Sequence, residues 1–155
     1  MPILNYTTQI SVTKTAGEIQ EILARAGVSS VLIEYKDKAP SALNFQIELQ
    51  GRRVGFRLPA RWEGVYKAMQ RDRDIPNRFK SQDQARRVAW RIVKDWTEAQ
   101  LALIEAGAAE LAEVFLPYAV NPTTSLTMFE DFKENMLRLP AGGEVFDGTY
   151  HEGKE

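Results

Sequence analysis

Cysteine is absent from the 155-residue chain, and histidine occurs once, as His151 near the C-terminal end. No disulfide, thiolate nucleophile or Cys-ligated zinc or iron–sulfur centre can therefore form. A lone histidine also argues against imidazole acid–base catalysis and His-clustered metal binding, and a Ser-His-Asp arrangement would have to draw on that terminal position. No apolar run approaches the roughly 18 residues of a membrane span, and no signal peptide opens the chain, so a soluble cytoplasmic protein is expected. GxxxxGK[ST], GxGxxG and HExxH patterns are missing. Glu34-Tyr-Lys36 matches the E-x-K half of a metal-dependent nuclease site, but a helix precedes it where that chemistry needs a strand bearing Asp. Glu63, Asp72, Asp74 and Asp83 lack the spacing of a carboxylate metal cage. The expectation is a non-enzymatic protein with no catalytic residue, no metal and no cofactor.

What is present is a globular composition, 44% hydrophobic and 26% charged, with 7 Phe, 5 Tyr and 3 Trp. A chain of this size buries roughly 70% of its unfolded surface, enough for a core without staples. The formal net charge is only −1, yet the charges are sorted along the chain. Residues 52–94 carry thirteen basic against four acidic side chains, a local charge of +9, whereas residues 95–155 carry three basic and twelve acidic, a local charge of −9. In the basic segment Arg outnumbers Lys ten to three, which suits phosphate contacts and stacking. The segment either forms a polyanion-binding surface or is neutralised internally by the acidic third folding back on it.

Periodicity predicts an α+β fold. Residues 3–12 are β-prone without clean alternation, a short strand or extended arm. Thr15-Ala-Gly-Glu18 has capping-box spacing, and a helix follows with Ile19, Ile22 and Leu23 at helical intervals before Gly27 stops it. Ser30–Lys36 reads as a strand and 37–41, with Pro40, as a turn. Leu43, Phe45, Ile47 and Leu49 alternate strictly with polar neighbours, and after Gly51 so do Val54, Phe56 and Leu58; this is an antiparallel meander. Pro59 is expected to open a helix over 60–71, residues 72–81 to form a mobile basic loop, and Ser81 to cap a long helix over 82–106. Helices are then expected over 108–118 and 125–137. The order α-β-β-β-α-α-α-α gives a three-stranded antiparallel sheet with an N-terminal helix and a helical C-terminal half. Residues 1–139 form one domain, with the sheet part over 1–58 and the helical part over 59–139, and 140–155 read as a flexible tail.

On the long helix, Ala85, Val88, Ala89, Ile92, Trp96, Ala99 and Leu103 form one apolar stripe, and Arg87, Arg91, Lys94 and Glu98 lie opposite, with Arg86 and Trp90 at the edge of that basic face. Trp90 either stacks a base among these cations or joins Leu101 and Ile104 in a second apolar seam. The outer sheet face offers Asn44, Gln46, Gln50, Arg53 and Arg57 but no exposed aromatic pair, so an RRM-type platform is not expected. The loop cations Arg71, Arg73, Arg78 and Lys80 surround Phe79. The candidate nucleic-acid-binding set is thus Arg53, Arg57, Arg71, Arg73, Arg78, Phe79, Lys80, Arg86, Arg87, Trp90, Arg91 and Lys94. If about five of these cations meet single-strand phosphates, log K falls with log salt at a slope of about −3.5.

Two stretches, Met1–Gln9 (MPILNYTTQ) with 17–20 (GEIQ), and 89–107 (AWRIVKDWTEAQLALIEAG) followed by 113–118 (EVFLPY), resemble a family of small uncharacterised proteins of bacterial phages, prophages and mobile elements. The resemblance covers most of residues 1–118 and implies no catalytic residues; it implies a role in replication, recombination or inhibition of host defence. The order α-β-β-β-α is also that of double-stranded-RNA-binding domains, but the helix there opens with a lysine cluster where this chain has Arg61 and Trp62. The favoured expectation is a non-enzymatic, single-stranded-DNA-handling protein, with duplex DNA or RNA as other nucleic-acid partners and no membrane partner. The alternatives are a protein–protein inhibitor or adaptor acting on a host complex, with the acidic third as its docking surface, and an oligomeric assembly protein using the Trp90, Leu101, Ile104 seam.

Overall fold

The computed structural model of the chain describes residues 1–138. Its elements are α1 (Val12–Arg25), β1 (Ser30–Lys36), β2 (Ala39–Leu49), β3 (Arg52–Pro59), α2 (Trp62–Arg71), α3 (Gln82–Glu105), α4 (Leu111–Phe115) and α5 (Met128–Arg138), with short 3₁₀ helices at Asn77–Phe79 and Leu116–Tyr118. The expected α+β class and helix–strand order are present, as is a three-stranded antiparallel sheet ordered β1-β2-β3. The tail expected at 140–155 lies outside the described residues.

The meander is made by two-residue turns whose central residues have positive φ: Asp37 and Lys38 at 52° and 66°, Gln50 and Gly51 at 49° and 77°. Such turns match the right-handed twist of the strands they join. The first turn is therefore shorter than the 37–41 stretch expected, and Pro40 lies inside β2. Its missing N–H falls opposite Tyr35, where the register shifts between Glu34 and Tyr35. Pro59 likewise ends β3 rather than opening a helix, and α2 starts three residues later.

The N-terminal strand is not formed. Residues 1–11 run as turns and irregular backbone held by side chains: Gln84 Nε2 donates to the carbonyls of Tyr6 and Thr8, both at 2.8 Å. The cap of α1 is Ser11, whose Oγ accepts from Lys14 N at 3.1 Å. Thr15 is fully buried one turn inside, so the apparent Thr15–Glu18 box does not start the helix. A reciprocal box does form at α5, where Thr127 Oγ1 accepts from Glu130 N at 3.2 Å and Glu130 Oε1 accepts from Thr127 N at 3.3 Å. Ser81 caps α3 as anticipated, accepting from Gln84 N at 3.1 Å. The helix expected over 108–118 is shortened to the one-turn α4 and a 3₁₀ helix containing Pro117.

Alternation buries one face of the sheet. Leu43, Phe45, Ile47, Phe56 and Leu58 pack against Ala16, Ile19 and Leu23 of α1, Trp90 of α3 and Phe115 of α4. Phe45 stacks on Phe56 at 5.1 Å, and Phe115 meets Phe45 edge-on at 5.2 Å and Trp96 edge-on at 5.5 Å. A second core of Met69, Ile75, Ala85 and Val88 joins α2, the following loop and the N-terminal arm. Helix α3 serves both. Ala85, Val88 and Ile92 face the second core, whereas Trp90, Val93, Leu101 and Ile104 face the first, so the single stripe expected on α3 is replaced by two seams. Ala99 and Leu103, assigned to that stripe, are exposed.

Candidate nucleic-acid interface

Folding divides the basic segment in two. The cations of mid-α3 are consumed internally. Arg91 Nη1 pairs with Glu18 of α1 and reaches Thr15 Oγ1 at 3.3 Å, leaving its side chain 13% exposed. Lys94 Nζ binds Glu98 at 2.8 Å with Asp95 at 4.0 Å. Arg87 donates from Nε and Nη2 to Gln84 Oε1 at 3.0 and 2.7 Å, and so braces the same amide that holds the N-terminal arm. These three read from sequence as one basic face; in the fold Arg91 ties α3 to α1, Arg87 braces the amide that holds the arm, and Lys94 is neutralised within α3.

The outer sheet face behaves similarly. Arg57 clasps Glu34 through Nε and Nη2 at 3.1–3.2 Å, and Asn44 Nδ2 donates to the same carboxylate at 2.7 Å. The hydrogen bond from Arg57 holds the Glu34 carboxyl below its ordinary range, against the opposing effect of partial burial. Arg53 lies 4.0 Å from Glu48, with both side chains exposed.

Trp90 is a correction. Its ring is 1% exposed within the main core and its Nε1 donates to Pro40 O at 3.4 Å. The indole fills the space between α3 and the start of β2, so it offers no face to a base. The seam with Leu101 and Ile104 is the arrangement found.

The remaining cations gather at the end of α2 and in the loop that follows. Arg71, Arg73 and Arg78 are exposed and Lys80 is half-buried; none makes an ion pair with a carboxylate among the described residues. The loop is not free-swinging. Ile75 is buried in the second core, Gln70 Nε2 donates to Lys80 O at 2.8 Å, and Asp72 Oδ1 accepts from Asp74 N at 2.8 Å. Phe79 packs edge-on against Tyr6 at 5.6 Å while the Arg78 guanidinium covers its face at 4.8 Å. A base reaching Phe79 would therefore join or displace a stacked guanidinium.

Two contributors lie outside the candidate set read from sequence. Lys67 is exposed one turn before Arg71, an i,i+4 spacing that extends the cationic row along α2. Trp62, half-buried at the start of α2, carries the Arg86 guanidinium over its ring at 4.2 Å, while Arg86 also pairs with Asp83 at 3.1 Å. Helical spacing could have found Lys67; the Trp62–Arg86 stack depends on how α2 crosses α3. The second core thus carries two guanidinium-capped aromatic rings, Trp62 at the start of α2 and Phe79 beside the loop cations, and the latter suits phosphates and a π-face together.

Among the described residues no cluster of His, Asp or Glu could hold a metal ion, and no helix is long and apolar enough to cross a membrane. Comparison with protein-family models, with curated proteins and with solved structures yields no match.

Proposed function

We propose that the protein binds nucleic acid without catalysis, holding a single strand along the C-terminal half of α2 and the 72–80 loop. The observation that carries this reading is the set Arg71, Arg73, Arg78 and Lys80, which has no carboxylate partner among the described residues, whereas Arg57, Arg86, Arg91 and Lys94 each have one. Cations left unpaired on an anchored loop can release counterions from phosphates without first breaking an internal pair. Phe79 adds a π-face beside these cations, which favours unstacked bases over a closed duplex. The resemblance to phage and mobile-element proteins supports a role in replication or recombination.

The test is fluorescence anisotropy with labelled single-stranded DNA, duplex DNA and RNA at about 50 and 200 mM salt. Salt-sensitive binding to a single strand is expected, and its loss in the combined Arg71→Ala, Arg73→Ala, Arg78→Ala, Lys80→Ala variant. No binding of any probe at the lower salt would refute the proposal.

A second reading, an adaptor or inhibitor that grips a protein, is favoured by the cleft between α1 and α3. It measures about 620 Å³ and is lined by Ile22, Leu101 and Ile104 together with Glu98, Glu105 and Arg25. Retrieval of a basic partner lost on Leu101→Asp, together with no nucleic-acid binding, would select this reading.

A further inference from the structure

Helix α5 has an apolar face that is largely uncovered among the described residues, with only the Arg61 guanidinium approaching it, 6.0 Å from the Phe129 ring. None of its residues is buried, and Met128, Phe129, Phe132 and Met136 are 46%, 44%, 63% and 52% exposed. Their spacing puts all four on one side of the helix, with Glu130, Glu134 and the exposed Leu137 on the other. The helix starts at the Thr127–Glu130 box and rests chiefly on the 3₁₀ helix Leu116–Tyr118, where Leu116 adds a further 52% exposed side chain. An 11-residue helix is too short to persist in water on its own propensity, so its apolar face is the natural source of its stability.

We propose that α5 is the interface of a homodimer, packed antiparallel against the α5 of a second copy. The stripe reads the same in both directions: Met128, Phe132 and Met136 stand at i, i+4 and i+8. A two-fold interface requires that kind of self-complementarity. An axis passing by Phe132 sets it against the partner's Phe132 and sets Met128 against the partner's Met136. The area also suits a second copy. Two phenylalanines, two methionines and Leu116, each about half exposed, offer roughly 500 Å² of apolar surface, at the upper end of what monomers leave open. Doubled by symmetry this is roughly 1,000 Å², the threshold of a specific interface. Met and Phe dominate the patch, and both are enriched at the centres of interfaces. The proposal is independent of nucleic-acid binding.

The test uses the full chain without nucleic acid. Sedimentation should show reversible association to twice the 17.6 kDa protomer, weakened at least about tenfold by Phe132→Glu, and likewise by Met136→Glu should the first variant unfold. Because the chain has no cysteine, Phe132→Cys supplies a single thiol. With added diamide as oxidant, two such thiols give up two protons and two electrons and should join as a disulfide across the axis, whereas Glu134→Cys on the opposite face should remain uncrosslinked. A chain that stays monomeric up to about 100 µM, a dimer indifferent to both charge substitutions, or equal crosslinking at 132 and 134 would each overturn the assignment.

Discussion

The division of the basic segment into paired and unpaired cations can be measured as a salt slope. Each single-strand phosphate neutralised contributes about −0.7 to the slope of log K against log salt. Arg71, Arg73, Arg78 and Lys80 lack ion-pair partners among the described residues. Four contacts give a slope of about −2.8 and a loss of affinity of about 50-fold between 50 and 200 mM salt. Replacing Arg78 and Lys80 by Ala should halve the slope to about −1.4 and shrink that loss to about 7-fold. Arg91 and Lys94 carry the same formal charge but already bind Glu18 and Glu98. Replacing them should leave the slope at its wild-type value, with thermal unfolding monitored to show that each variant remains folded. The assay is anisotropy of a labelled oligonucleotide across a salt series. A wild-type slope near zero would refute the electrostatic mechanism, and a slope change in the Arg91, Lys94 variant equal to that of the loop variant would refute the division itself.

Two further outcomes separate structural from binding roles. Trp90→Phe keeps most of the buried bulk but loses the hydrogen bond to Pro40 O, so stability should fall by about 1–3 kcal/mol in chemical denaturation while nucleic-acid affinity stays within about twofold; a large loss of affinity with unchanged stability would restore Trp90 as a stacking residue. The Glu34 carboxyl titrates below its ordinary 4.5 because Arg57 favours the ionised form, so its contribution to stability is present above that value and is lost as pH falls through the lowered folded value. Glu34→Gln should therefore flatten the acid limb of a stability–pH curve and leave neutral-pH binding unchanged, whereas an unaltered acid limb would show that the pair contributes nothing.

Local signals reached the fold more readily than the site. Strict alternation at Leu43, Phe45 and Ile47, and again at Phe56 and Leu58, encodes the buried sheet face directly, because a strand's side chains alternate whatever surrounds it. Prolines misled: Pro40 and Pro59 look like breakers, yet a register shift and a strand end absorb their missing N–H groups. The Thr15–Glu18 spacing misled too, because both side chains face α3, where Thr15 is buried and Glu18 pairs with Arg91. Charge density at the site was legible, but which charges remain available was not. The carboxylates that engage Arg91 and Arg57 lie 73 and 23 residues away in sequence, and only the packing of α1 on α3 and the pairing of β1 through β2 to β3 brings them close. Among the described residues, the acidic third of the chain, the neutraliser suggested by charge blocks, supplies Asp95 and Glu98 to Lys94 alone among the site cations, whereas Glu18 and Glu34 come from the N-terminal third. A block of +9 therefore overstates the binding charge. The ionic partners of a folded chain are chosen by topology, so the α2–loop edge stands out only after those pairs are subtracted.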